Sequence, residues 1–161
     1  MTFTAKSLAV SFTALTLLSA CGPKSPEAQI LGKWTQTEPV STTTNGLEIR
    51  KSNAVLIFKK DGDVRLTRTL EFAGAGLPEE GLAFDINLDG DWSLAEGVLV
   101  QTLETVIVTP RSAAPEAADT ARQLEQDSLA DPQTRKTIVK LDNRELMVQD
   151  IDTGITDIYT R

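Results

Sequence analysis

The sequence contains no histidine. This excludes Ser-His-Asp and Cys-His catalysis and removes the usual ligands of a catalytic zinc. Cys21 is the single cysteine, so no disulfide forms within the chain and the fold must hold by packing alone. Aromatic residues are scarce, 5% of the chain. Past the first twenty residues they are Trp34, Phe58, Phe72, Phe84, Trp92 and Tyr159, too few to line a large aromatic pocket. Positive charge is in deficit, 16 Lys and Arg against 23 Asp and Glu, for a net charge of −7. Such a chain is repelled by nucleic acid and by anionic headgroups, so neither is an expected partner. Acidic residues are plentiful, but no spacing singles out an acid/base pair and no nucleophile motif is present. The chain is therefore expected to be no enzyme and to need no cofactor.

What is present begins at the N-terminus. MTFTAK carries one positive charge, Lys6, and SLAVSFTALTLLSA follows. That stretch has the length of a signal-peptide core and is too short to span a bilayer. It ends in Leu18-Ser19-Ala20-Cys21, which resembles the lipobox of bacterial lipoproteins. The resemblance implies cleavage before Cys21, acyl chains on its thiol and a firm membrane anchor, since each buried CH₂ contributes ~0.8 kcal/mol. Gly22, rather than Asp, after the lipidated residue implies the outer membrane, facing the periplasm. The expected division is a leader at 1–20, a lipidated cysteine and polar tether at 21–29, and one domain at 30–161.

The domain reads as short strands separated by turns. The strands are expected at Gly32–Val40, Leu47–Lys59, Val64–Phe72, Leu82–Leu94, Val98–Val108, Thr134–Leu141, Arg144–Asp150 and Ile155–Arg161. STTTNG at 41–46 reads as a loop, and Lys60-Asp61-Gly62-Asp63 as a tight hairpin. Val64, Leu66, Leu70 and Phe72 share one strand face, and Arg68 stands on the same row. That cation is either at the wet end of its strand or an internal charge facing a polar ligand or carboxylate.

DINLDGDWSLAE, Asp85 to Glu96, fits the calcium-loop pattern D-x-[DN]-x-[DN]-G-x5-E. Asp85, Asn87, Asp89, Asp91 and Glu96 would be the ligands. From Leu82 to Leu94, however, apolar residues alternate with polar ones, and a half-buried strand gives oxygens the same spacing. The flanks are a Gly/Pro-rich loop and a β-branched run, not helices. The strand is the leading reading and the calcium loop a minor one. Gly90 then marks a bulge or bend.

One segment breaks the pattern. Arg111 to Gln133 is rich in Ala, Gln and Glu, with Pro115 suited to a first helical turn and Asp131-Pro132 to a stop. It predicts a surface helix at 115–129 with a weak stripe of Ala114, Ala117, Ala121, Leu124 and Ser128, or alternatively a loop. The whole predicts an all-β fold: a small antiparallel up-and-down barrel of about eight strands with one helix inserted.

Ile-Leu-Gly-Lys-Trp at 30–34, Phe58-Lys59-Lys60-Asp61-Gly62-Asp63, Gly90-Asp91-Trp92-Ser93-Leu94 with Gly97-Val98-Leu99, and the closing Tyr159-Thr160-Arg161 resemble, in that order, motifs of bacterial lipocalin-like lipoproteins. The resemblance implies a calycin-type barrel in which Arg161 covers Trp34 in a cation–π contact. Trp34, Arg161 and Trp92 are then structural. The implied role is a non-enzymatic module binding a small apolar ligand or assisting another envelope protein. A filled barrel serving as a protein-interaction module is the alternative.

Overall fold

The computed structural model describes residues 24–161, so the predicted leader and Cys21 lie outside the described residues. The elements are α1 (Pro26–Ile30), β1 (Gly32–Gln36), β2 (Val40–Thr44), β3 (Leu47–Phe58), β4 (Asp63–Gly74), β5 (Leu82–Ala95), β6 (Val98–Pro110), α2 (Ala117–Ala130), β7 (Gln133–Leu141), β8 (Glu145–Asp150) and β9 (Thr156–Thr160). Every pairing is antiparallel, and β1 pairs with both β3 and β9, which closes the meander. β1 and β2 both lie against β3 and form two halves of one wall strand, so the closed ring has eight members. This is the lipocalin-like barrel expected from the sequence.

Two segments differ from expectation. The residues read as a loop at 41–46 are mostly strand, and only Asn45-Gly46 turns, with φ of 53° and 78°. Both signs suit the two-residue hairpin whose twist matches its strands. The break in the wall falls earlier, at Thr37-Glu38-Pro39, where Pro39 has no N–H for the ladder. Within the stretch read as a tether, Pro26–Ile30 is helical instead: Ser25 caps α1 through Ala28 N, with Pro26 in the first turn.

β5 overturns the calcium-loop reading. It is extended from Leu82 through Ala95, with Leu82, Phe84, Ile86 and Leu88 buried. Asp85, Asn87, Asp89 and Asp91 therefore stand in a row on the outer face, about 7 Å from one to the next. Glu96 sits beyond them in the β5–β6 turn. Their carboxylates go to cross-strand cations instead: Asp89 to Arg65 at 2.6 Å and Asp85 to Arg111 at 3.8 Å. Gly90 does face a bulge, but the extra residue belongs to β6, where Asp89 pairs with Thr105 and Gly90 with Leu103. A Cβ at Gly90 would collide with the Thr102 carbonyl oxygen, so close approach of the β6 backbone requires glycine there.

The core has two floors. The lower holds Ile30, Trp34, Leu56, Phe58, Leu99 and Tyr159 among others. The upper holds Leu70, Leu82, Phe84, Ile86, Val106 and Val108, and Leu66 packs against both. The upper floor exists because β7 begins opposite Thr102, leaving residues 103–110 of β6 without a strand on that side. Helix α2 takes that place. Its buried Ala117 and Ala121, with Ala114 and Leu124, form the small-residue stripe read in the sequence. The helix is thus part of the core, not a surface addition.

Candidate functional site

Residues directly opposite in a ladder share a face. Arg68 pairs with Ile86, and its row neighbours Leu66 and Leu70 pair with Leu88 and Phe84. Arg68 therefore points into the barrel. Its Nε is buried and has no hydrogen-bond partner among the described residues. The guanidinium likewise forms no ion pair among the described residues, and the side chain is half-buried, so the unmatched charge costs less than a fully buried one would.

Five further groups, Lys51, Lys136, Asp150, Asp157 and Tyr159, reach the same level from the surrounding strands. Lys51 on β3 lies opposite Leu70. Lys136 on β7 lies between Leu99 and Asp150 of β8. Asp157 and Tyr159 on β9 face Val148 and Leu146. Together with Arg68 they form a charged belt between the two apolar floors, at the height where β7, β8 and β9 end.

The belt's electrostatics are uneven. Lys136 pairs with Asp157 at 3.0 Å, both side chains mostly shielded, 15% and 10% exposed. Asp150 is occupied elsewhere: its Oδ1 accepts from Asp152 N, Thr153 N and the Thr153 hydroxyl. Burial alone would raise the Asp150 carboxyl, but these bonds and nearby Lys136 hold it below the ordinary carboxylate value. Burial pushes the Lys51 ammonium below the ordinary lysine value, and Arg68 adds to that, while Asp157 pulls the other way. Burial also pushes the Tyr159 phenol well up, so it stays a neutral donor. Three cations thus face two carboxylates, and neither Arg68 nor Lys51 forms an ion pair among the described residues.

Beside Arg68 is a cavity of about 60 Å³, lined by Val64, Leu66, Leu88, Leu103 and the polar Gln101 and Lys136, among others. Roughly 10–15 Å³ of such room holds one water, so this is space for a few waters. An acyl chain does not fit in it. The lining mixes leucines with two cations, which suits a small amphipathic molecule better than a long hydrocarbon.

The remaining sequence-predicted residues sit at the barrel's base. The Arg161 guanidinium lies 4.2 Å from the centre of the Trp34 ring and donates to Gln29 O and Leu31 O, both at 2.6 Å. Trp34 is fully buried and its Nε1 donates to Ile30 O at 2.6 Å. These contacts tie α1, β1 and the C-terminus together below the lower floor. Trp92 is half-buried, edge-on to Phe58 at 5.3 Å, and its Nε1 donates to Lys59 O. None of the three touches the belt cavity.

Of the belt, sequence reading singled out Arg68 alone. Lys51 escaped because the inward row on β3 changes parity. It runs Leu47, Ile49, Lys51, then Ala54, Leu56, Phe58, with the register shifting between Ser52 and Val55 and Asn53 at φ 53°. Lys136 and Asp157 stand on inward rows as Arg68 does, and a charge on an apolar row was the signal available for each.

The chain is similar to a lipocalin-like protein from Bacteroides uniformis, with 14% sequence identity and a TM-score of 0.45 over 83% of this chain and 98% of that one. No family model matches the sequence, and no curated protein matches it.

Proposed function

We propose that this protein is a lipid-anchored, non-enzymatic binding module of the bacterial cell envelope. Acyl chains on Cys21 hold it to the outer membrane, facing the periplasm, and the barrel receives a small ligand at the charged belt. The leader and the Leu18-Ser19-Ala20-Cys21 stretch support the anchor. The observation that carries the binding role is Arg68, a cation turned inward beside a cavity with its Nε unsatisfied among the described residues. The expected ligand is small, because the two apolar floors fill the rest of the barrel.

Two measurements test this. In membrane fractionation with labelled palmitate, the wild-type chain is expected in the outer membrane carrying label, and Cys21→Ser is expected to lose both. Label-free wild-type protein in the soluble fraction would remove the anchor. For binding, the full chain in detergent micelles is titrated with butyrate, butyramide, butanol and inorganic phosphate, read by calorimetry. Saturable binding of at least one is expected, and silence from all four would sink the binding role. A second reading, a filled barrel that serves as a protein-interaction module, draws support from how little room the interior leaves. It predicts that silence.

A further inference from the structure

Arg68 sits at a place where charge and shape both restrict the partner. Its guanidinium presents several donors in a planar fork that matches a carboxylate better than a spherical ion. Lys136, on the opposite side of the cavity lining, is paired with Asp157 at 3.0 Å but keeps further N–H donors. Gln101, itself 7% exposed, adds an amide to the same wall. The rest of the lining is Val64, Leu66, Leu88 and Leu103, with Thr134 and with Asp89, whose carboxylate is paired outside with Arg65. An oxyanion with hydroxyls or a second charge would leave groups unpaired against those leucines, at a cost for each. A carboxylate with a short hydrocarbon stub satisfies both kinds of group. The room of about 60 Å³ holds the head and little more, so the stub must be short.

We infer that the belt is a monocarboxylate site, with the carboxylate head held by Arg68 and Lys136 and a short apolar stub against Leu66, Leu88 and Leu103. The inference rests on the binding role proposed above and names the ligand class. The head brings the counter-charge that Arg68 lacks among the described residues. Lys51, on the neighbouring strand, gains from the same anion.

The test uses the full chain in micelles with butyrate, its uncharged isostere butyramide, and inorganic phosphate. Butyrate is expected to bind at least tenfold tighter than butyramide, as a charge-assisted hydrogen bond of roughly 1.5–3 kcal/mol implies. Phosphate is expected to bind more weakly than butyrate. Arg68→Met is expected to fold, because it exchanges a half-buried cation without an ion pair for a side chain of similar length, and to lose the butyrate preference. Arg68→Lys keeps the charge but not the fork and is expected to fall between them. Equal binding of butyrate and butyramide would overturn the inference while leaving the binding role standing. So would phosphate outcompeting butyrate, or an undiminished butyrate preference in Arg68→Met. Failure of every compound to bind takes the binding role down with it.

Discussion

At the scale of single residues, the belt shows how a barrel interior tolerates charge. Each cation there enters from a row that is otherwise apolar, and each has a different outcome. Lys136 takes Asp157; Arg68 takes no partner among the described residues; Lys51 is pushed toward its neutral form. The Lys51 outcome has a sign that can be worked out. The charged groups around it are Arg68, Lys136, Asp150 and Asp157. At pH values below its lowered pKa, folded and unfolded chains both carry the proton, and the folded state bears the whole cost of the buried charge. Between that pKa and the ordinary value of 10.5, the unfolded chain still binds the proton and the folded chain does not. The unfolded state then binds more protons, so stability rises with pH across that window. Lys51→Met is expected to raise stability at neutral pH and to flatten the alkaline rise. Urea melts of both proteins from pH 7 upward check this, and parallel curves would mean Lys51 is not the group responsible.

At the scale of elements, the strand that runs past its neighbour poses the main problem. β6 continues from Leu103 to Pro110 with β5 on one side and no strand on the other, an edge of unpaired backbone groups. Helix α2 covers it and also supplies an acceptor: Glu125 Oε1 takes the Val108 N–H at 2.8 Å. Glu125→Ala is expected to cost ~1–2 kcal/mol, because the amide loses its partner in a half-buried site. Glu125→Gln keeps a carbonyl oxygen there and should recover most of the loss. Denaturant melts give the stability, and exchange of the Val108 amide shows whether the effect is local. The strand order and most element bounds could be read from the sequence, because two-residue alternation is strong in β4 and β5, as in Leu82 to Leu94, and β6 is a dense β-branched run. The helix bounds were also legible, since Ala114, Ala117, Ala121 and Leu124 repeat at helical spacing. What could not be read was where α2 lies: a stripe of alanines is too weakly apolar to reveal that it covers a core, and that depends on β7 starting eight residues short of the end of β6, a long-range pairing fact. The belt was hidden for a related reason. Bulges at Asn53 and Val139 flip the parity of an inward row, so Lys51 and Leu141 fall out of step with the rest of their strands.

At the scale of the whole molecule, ring closure is the weakest connection and the one most dependent on a few side chains. β4 and β5 share an unbroken ladder from Asp63–Asp91 to Phe72–Leu82, whereas β1 meets β9 through Thr35–Thr160 and Gln36–Tyr159, with Thr37 just beyond donating its N–H and hydroxyl to Ile158 O. So short a ladder gives little cooperative resistance to local opening. The base contacts reinforce it: Arg161 spans from the end of β9 to the carbonyls of Gln29 and Leu31 while covering Trp34, and Trp34 is itself bonded to Ile30. Lysine at this position would keep a charge but lose the planar fork and the stacked face. Arg161→Lys is expected to cost roughly 1–3 kcal/mol from the bonds and ring contact together. Its effect should be regional. Amides of β1 and β9 are expected to exchange faster, while those of β4 and β5 hold their protection, because the ring opens at its seam before the long ladders part. If protection falls by the same factor in all four strands, the barrel opens as one unit and the base contacts contribute only to global stability.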